Sequence, residues 1–341
     1  MNHSESYQAV QQAVHDAQRI VIIQADNPDI DSLGSALALE QILGEAGKDV
    51  YLCCHVQIPQ YLHYVAGWDR VYGDLPSQFD LSIIVDTSSM TLLSKVQDDP
   101  NYAQLTKRPC IILDHHASSD DSIPFATTTI NDPGMSSTGE LVYSIARTLD
   151  WPLDTTAGAC IMAAILGDTQ GLTNDLATPT TYRIMAELLD MGVSRQELEE
   201  KRRESGKMHP DIFRYKAALI ERTQLVADGR LAIVSVPQSE INTYSPLYNP
   251  APLITTDMLQ TQGVLAAIVV KHYDDGKVLA SIRCNHGAAI ASTLAERFGG
   301  GGHPYAAGFK LTDGRPVDEI MTACISYATE LLDSQDMEED D

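Results

Sequence analysis

The chain has 341 residues, 44% of them hydrophobic, and a formal net charge of −24 at neutral pH. That length exceeds one ordinary domain and suits two, each with its own core. The acidity excludes a general binder of long duplex nucleic acid, which needs a basic footprint, and no apolar run reaches the ~18–20 residues of a membrane span. A short phosphate-bearing substrate held through divalent ions is still compatible, because the ions supply the local positive charge. The N-terminal stretch Met1-Asn2-His3-Ser4-Glu5 lacks the charged-then-apolar layout of a signal peptide, so a cytoplasmic protein is expected. Cys53, Cys54, Cys110, Cys160, Cys284 and Cys324 form no C-x-x-C pair and read as small buried hydrophobes.

Residues 7–19 read as an amphipathic helix laid against a sheet. Ile20-Val21-Ile22-Ile23 is the first strand and delivers the acidic loop Gln24-Ala25-Asp26-Asn27-Pro28-Asp29-Ile30-Asp31-Ser32. A helix over about 33–46 follows, with Ser32 as its N-cap and Gly34 allowing close approach near its start. Strands are expected over 48–54, 80–85 and 110–113, with an aromatic-rich surface helix and loop at 61–72. Residues 126–130 suggest an edge strand, and Ser136-Ser137-Thr138-Gly139-Glu140 has the composition of a helix cap before 141–149. Further helices are expected at 155–166, 179–191 and 195–205. This alternation predicts an α/β domain over residues 1–191, a doubly wound and mostly parallel sheet.

Residues 192–225 are charged and helical in period and read as a connector. A smaller α/β domain over 226–333 follows, with strands at 231–236, 263–273 and 278–284 and helices at 287–298 and 317–332. Between those helices lies the run Gly299-Gly300-Gly301-Gly302-His303, leading into a strand. Residues 334–341 are strongly acidic and are expected to form a solvated, disordered tail.

Four apolar segments end in acidic residues. The first strand leads to Asp26, Asp29 and Asp31, Leu81-Ser82-Ile83-Ile84-Val85 to Asp86, Ile111-Ile112-Leu113 to Asp114-His115-His116, and 159–166 to Gly167-Asp168-Thr169. One such ending is ordinary turn chemistry. Four in one α/β domain point to a shared site, since ligands bind beyond the carboxyl ends of the strands. Carboxylates gathered there repel one another unless cations compensate them. A mixed oxygen and imidazole shell suits Mn2+ and permits Mg2+. Adjacent histidines at a strand end point to opposite faces, so one is expected on metal and the other toward substrate. The glycine run is either a flexible linker or a phosphate cradle, with Gly300, Gly301, Gly302, His303 and the isolated cation Arg283 as contacts.

The segment Asn27-Pro28-Asp29-x-Asp31-Ser32-x-Gly34-Ser35, with Asp86, Asp114-His115-His116 and Gly167-Asp168-Thr169, resembles the four motifs of the DHH phosphoesterase superfamily. The stretch 299–308 resembles the signature of its DHHA1 domain. In length and layout the chain is most similar to the nanoRNase/pAp phosphatase group. The resemblance implies hydrolysis of short oligonucleotides or pAp (3′-phosphoadenosine 5′-phosphate) by two-metal activation of water, in a cleft between domains that hinge about the connector. It implies Asp29 on one ion and Asp31 on the other, with Asp86 bridging and His115 and Asp168 completing the ligand set of the second ion. It also implies His116 against the scissile phosphate, Asp114 behind it, and Arg283 and Gly300 to His303 on substrate. Mn2+ is the first expected ion, with Mg2+ and Co2+ as alternatives.

There is one departure. Many members carry His four residues before the first motif Asp, where this chain has Ala25, leaving Asp26, Gln24 or a water to replace it. RecJ-type exonucleases also lack that His. The alternatives with the same chemistry are a cyclic dinucleotide phosphodiesterase and a RecJ-like single-strand exonuclease, the latter disfavoured by the acidic surface. A manganese pyrophosphatase would lack the glycine-rich signature. A non-catalytic nucleotide-binding protein is the alternative of another class. The expected partner is a short single-stranded oligonucleotide or small nucleotide, with no long duplex and no membrane. The oligomeric state stays open, a homodimer included.

Overall fold

Residues of Ile20-Val21-Ile22-Ile23 face two separate apolar cores in alternation, as a strand covered on both sides must. In the computed structural model, which describes residues 3–116, 122–244 and 248–339, the chain divides into two compact units, Met1–Lys207 and Met208–Asp341. The first runs α1 (His3–Asp16), β1 (Arg19–Ile23), α2 (Ile30–Glu45), β2 (Asp49–Cys53), β3 (Leu81–Val85), α3 (Tyr102–Leu105) and β4 (Cys110–Asp114). It continues through β5 (Thr128–Asn131), α4 (Thr138–Thr148), α5 (Thr155–Asp168), α6 (Pro179–Asp190) and α7 (Arg195–Ser205).

Every pairing in this sheet is parallel, in the order β2-β1-β3-β4-β5. The order reverses between β1 and β3, so the loops leaving those two strands diverge and open a crevice at the carboxyl edge. Ile20, Ile22, Ile83, Ile111 and Leu113 pack into the core shared with α2, α4 and α5. Val21, Ile23, Ile84 and Ile112 pack on the opposite face with Leu93, Val96 and Leu105. Glycines draw the helices of the first core together. A Cβ on Gly34 of α2 would lie 2.7 Å from the Cys160 carbonyl, and one on Gly139 of α4 would lie 2.5 Å from Ala164 Cβ, both on α5.

Two local expectations need correction. Helix α2 starts earlier than predicted, and its N-cap is Asp29, not Ser32: Asp29 accepts from the backbone N–H groups of Asp31 and Ser32. An Asp side chain one residue before the helix reaches the free amides that Ser32, already inside it, cannot cap. The aromatic segment is no α-helix but two short 3-10 turns, Gln60–Leu62 and Trp68–Arg70.

The second unit runs α8 (Pro210–Arg222), β6 (Gln224–Val226), β7 (Leu231–Pro237), α9 (Gln238–Tyr244), α10 (Pro250–Leu259) and β8 (Ala266–His272). It ends with β9 (Val278–Cys284), α11 (Ala291–Glu296), β10 (Gly301–His303), β11 (Ala306–Leu311) and α12 (Val317–Glu339). The sheet order is β10-β11-β9-β8-β7-β6, parallel only between β7 and β8. Helices α11 and α12 cover one face, and α8 and α10 cover the β7–β8 part of the other. The segment expected as a connector divides between the units, α7 in the first and α8 in the second. Helix α12 runs to Glu339, through most of the segment assigned to a disordered tail; Asp340 and Asp341 lie outside the described residues. All six cysteines are buried and unpaired. No helix among the described residues is long and apolar enough to cross a membrane.

Candidate metal centre

Four of the acidic and imidazole groups converge at the crevice. Asp31 sits in the first turn of α2, Asp86 directly after β3, His115 directly after β4, and Asp168 at the end of α5. His115 Nε2 lies 3.5 Å from Asp31 Oδ2, 3.8 Å from Asp86 Oδ1 and 3.0 Å from Asp168 Oδ2. Its other ring nitrogen, Nδ1, is 3.3 Å from the Met135 carbonyl. Donation there fixes a proton on Nδ1, so the ring, once neutral, keeps its lone pair on Nε2, the arrangement found in metal-bound histidines. Nε2 itself is buried among the three carboxylates, with Asp168 nearest, and in the metal-free protein a proton on it pairs with that carboxylate. Three buried carboxylates around one imidazole repel one another unless a proton or a cation fills the gap. Two groupings have donor atoms within 4.8 Å of one another: Asp31, His115 and Asp168, and Asp86, His115 and His116. This donor set fits a divalent ion of the Mn2+ or Mg2+ type.

The amino end of α4 holds Asp31 in place. Thr138 N donates to Asp31 Oδ2 at 2.6 Å, Gly139 N to Oδ1 at 2.9 Å, and the Ser35 hydroxyl to Oδ1 at 3.1 Å. Free amides of a helix start suit a carboxylate both geometrically and electrostatically. The Thr138 hydroxyl also donates to Asp86 Oδ1 at 3.3 Å. Asp86 adopts a left-handed backbone, φ 62°, which turns its carboxylate back into the site. Behind these groups, buried Glu140 accepts from the hydroxyls of Ser136 and Thr181. In the sequence, 136–140 shows only the composition of a helix cap. The cap composition was the available signal, but its target, Asp31, lies over a hundred residues away in sequence.

Crowding shows in the acid–base behaviour. Burial, then the charge of Asp168, pushes Asp31 up to about 6, with His115 and the Gly139 and Thr138 amides opposing. Burial, followed by the charges of Asp31 and Asp29, raises Asp86 well above the usual carboxylate range. Burial opposes charging of His115, but the Asp168 and Asp31 carboxylates outweigh it and push it up to about 9. Such a cluster retains protons that a metal ion must displace.

The remaining predicted residues fall around this core. Asp29 belongs to neither grouping; one oxygen caps α2, and its charge is felt at Asp86. Asp114 is buried and accepts from His116 N at 3.1 Å and from His116 Nδ1 at 2.8 Å. That bond occupies Nδ1 and leaves the ring, 58% exposed, with Nε2 turned outward. The Asp114 bond also raises His116, against burial. The candidates to replace the absent histidine at Ala25 do not stand ready. Asp26 accepts from the Ser94 hydroxyl and Lys95 N, and Gln24 is wholly buried with neither amide atom hydrogen-bonded.

In the second unit, Arg283 of β9 pairs across the sheet with Ala306 of β11, which pairs with His303 of β10, so the three form one row. Arg283 and His303 are exposed. The glycine run is a hairpin edge, and its members differ. A Cβ on Gly300 would lie 2.2 Å from the Gly308 carbonyl and one on Gly302 would lie 2.6 Å from the Ala306 carbonyl, whereas Gly301 faces open space. Gly300→Ala is therefore expected to destabilise the second unit by about 1–3 kcal/mol, read as a lower urea midpoint. Gly301→Ala is expected to leave that midpoint unchanged, and a fall as large as for Gly300→Ala would refute the distinction.

Comparison with known proteins agrees with this geometry. The DHH family N-terminal domain matches residues 19–167, and the DHHA1 domain matches residues 251–330. A bifunctional oligoribonuclease and PAP phosphatase NrnA from Bacillus subtilis is 24% identical over 305 residues, covering 89% of this chain and 92% of that protein. A cyclic-di-AMP phosphodiesterase GdpP from Geobacillus thermodenitrificans is 25% identical, covering 89% of this chain but 46% of that protein. Among solved structures, an exopolyphosphatase-related protein from Bacteroides fragilis shares the fold, with a TM-score of 0.75 at 20% identity over 97% of this chain and 98% of that one. With both domains matched in order and relatives aligned along most of its length, this protein belongs to the DHH family and carries the DHHA1 domain.

Proposed function

We propose that this chain is a metal-dependent phosphoesterase that hydrolyses short single-stranded oligonucleotides and small nucleotides such as pAp. The observation that carries the proposal is the convergence of Asp31, Asp86 and Asp168 on the buried Nε2 of His115, with an outward-facing His116 beside it. Divalent ions bound there, with Mn2+ expected first, would lower the pKa of water and neutralise charge on the phosphoryl oxygens. His115, Asp31 and Asp168 would hold one ion, and Asp86 with Asp29 a second. Asp114 fixes His116 through Nδ1, so the opposite nitrogen presents its proton to a phosphoryl or leaving oxygen. Within the second unit, Arg283, His303 and the open backbone of Gly301 would form a phosphate-binding row of their own. Hydrolysis of pApA, pAp, cyclic di-AMP and a long single-stranded RNA, each with Mn2+, Mg2+ or Co2+, tests the reading. Turnover of pApA and pAp is expected. Preference for cyclic di-AMP or the long strand would move the substrate class, and no metal-stimulated turnover of any of them would defeat the proposal.

A further inference from the structure

The aromatic segment between β2 and β3 borders the acidic loop of the metal centre. Most of its rings already have partners: Trp68 stacks on His63 at 3.4 Å, and Tyr72 stacks on Tyr51 at 4.4 Å between centroids. Tyr64 is half-buried against the core, with Arg202 of α7 beside it. Tyr61 differs. It is 62% exposed, and among the described residues no aromatic ring or cation stacks on it. Its hydroxyl reaches the Pro28 carbonyl at 3.5 Å, directly before Asp29. Partial burial and then the Asp29 charge raise its phenol. The ring is thus held by its tip at the rim of the site while its flat surface meets water.

A large uncovered aromatic beside a carboxylate cluster repels anions and favours a neutral, flat group. A nucleobase has that chemistry, and base–aromatic stacking tolerates any base because every base has a π-face. We propose that Tyr61 is a specificity-determining residue that stacks on the nucleobase adjoining the phosphate bound at the ion that Asp31, His115 and Asp168 would hold. It would thereby select nucleoside-bearing phosphoesters over bare phosphate or sugar phosphate. This rests on the phosphoesterase reading for its ligand but makes its own prediction about binding.

The test compares Tyr61→Ala and Tyr61→Phe in the full chain with Mn2+, using AMP and ribose 5-phosphate as probes and calorimetry as the readout. The wild type should bind AMP more tightly than ribose 5-phosphate. Tyr61→Ala should weaken AMP binding by about 10- to 100-fold and leave ribose 5-phosphate and Mn2+ binding unchanged. Tyr61→Phe, which keeps the ring and loses the hydroxyl, should retain AMP binding. For pApA hydrolysis, Tyr61→Ala should raise KM with little change in kcat. Equal losses for AMP and ribose 5-phosphate, or none for either, would overturn the proposal. If wild type hydrolyses no phosphoester but the AMP selectivity still depends on the ring, the phosphoesterase reading fails while Tyr61 keeps its role.

Discussion

His115→Ala is expected to lower metal-dependent turnover by at least about 10³-fold and to remove tight metal binding. The imidazole lies within 4 Å of Asp31, Asp86 and Asp168 together, so its loss leaves three mutually repelling carboxylates without that shared neutral donor. The wild-type affinity carries a pH signature. His115 titrates at about 9 in the metal-free protein and must lose its proton to ligate. Affinity therefore rises with pH up to that value and falls about tenfold per unit below it. Below about 6, protonation of Asp31 adds a second loss. Calorimetry at pH 7 and 8 in buffers of different ionisation enthalpy should register release of about one proton or more per ion. In His115→Ala the dependence between 6 and 9 should flatten. Metal affinity unchanged in that variant would show that the ion sits elsewhere.

His116→Ala is expected to lower kcat by about 10²- to 10⁴-fold while metal affinity stays close to wild type. The difference follows from Asp114, whose bond to Nδ1 makes His116 a held proton donor rather than a free ligand. The same bond raises the His116 pKa. A donor with a raised pKa is charged below it and loses its proton above it, so kcat should decline as pH rises through that value. Asp114→Asn should move this decline to lower pH, and His116→Ala should abolish it, as pH–rate profiles can show. If His116→Ala weakens metal binding as severely as His115→Ala, the ligand set is instead Asp86, His115 and His116.

The strands that carry the site were plain in the sequence because β-branched runs such as Ile20 to Ile23 and Ile111 to Leu113 have one physical solution, a strand covered on both faces. Asp31, Asp86, His115 and Asp168 were recognisable because each ends such a segment or the helix packed on it. Other features were invisible for physical reasons. Asp29 and Ser32 both have cap chemistry, and only the start of α2 at Ile30 decides between them. Strand β6 is three residues long, and α10, starting at Pro250, hides among loop-like prolines. The grip of Thr138 and Gly139 on Asp31 exists only once α4 has packed against α2. The glycine run suggested phosphate, but close backbone contacts already require Gly300 and Gly302.

The left-handed conformation of Asp86 has an evolutionary consequence. Asn and Gly share the tolerance for that geometry, whereas β-branched residues do not. Drift to Asn would thus pass unnoticed by the folding machinery while stripping a charge from the reaction centre. At this position a single nucleotide change would keep the fold and remove one of the proposed metal ligands.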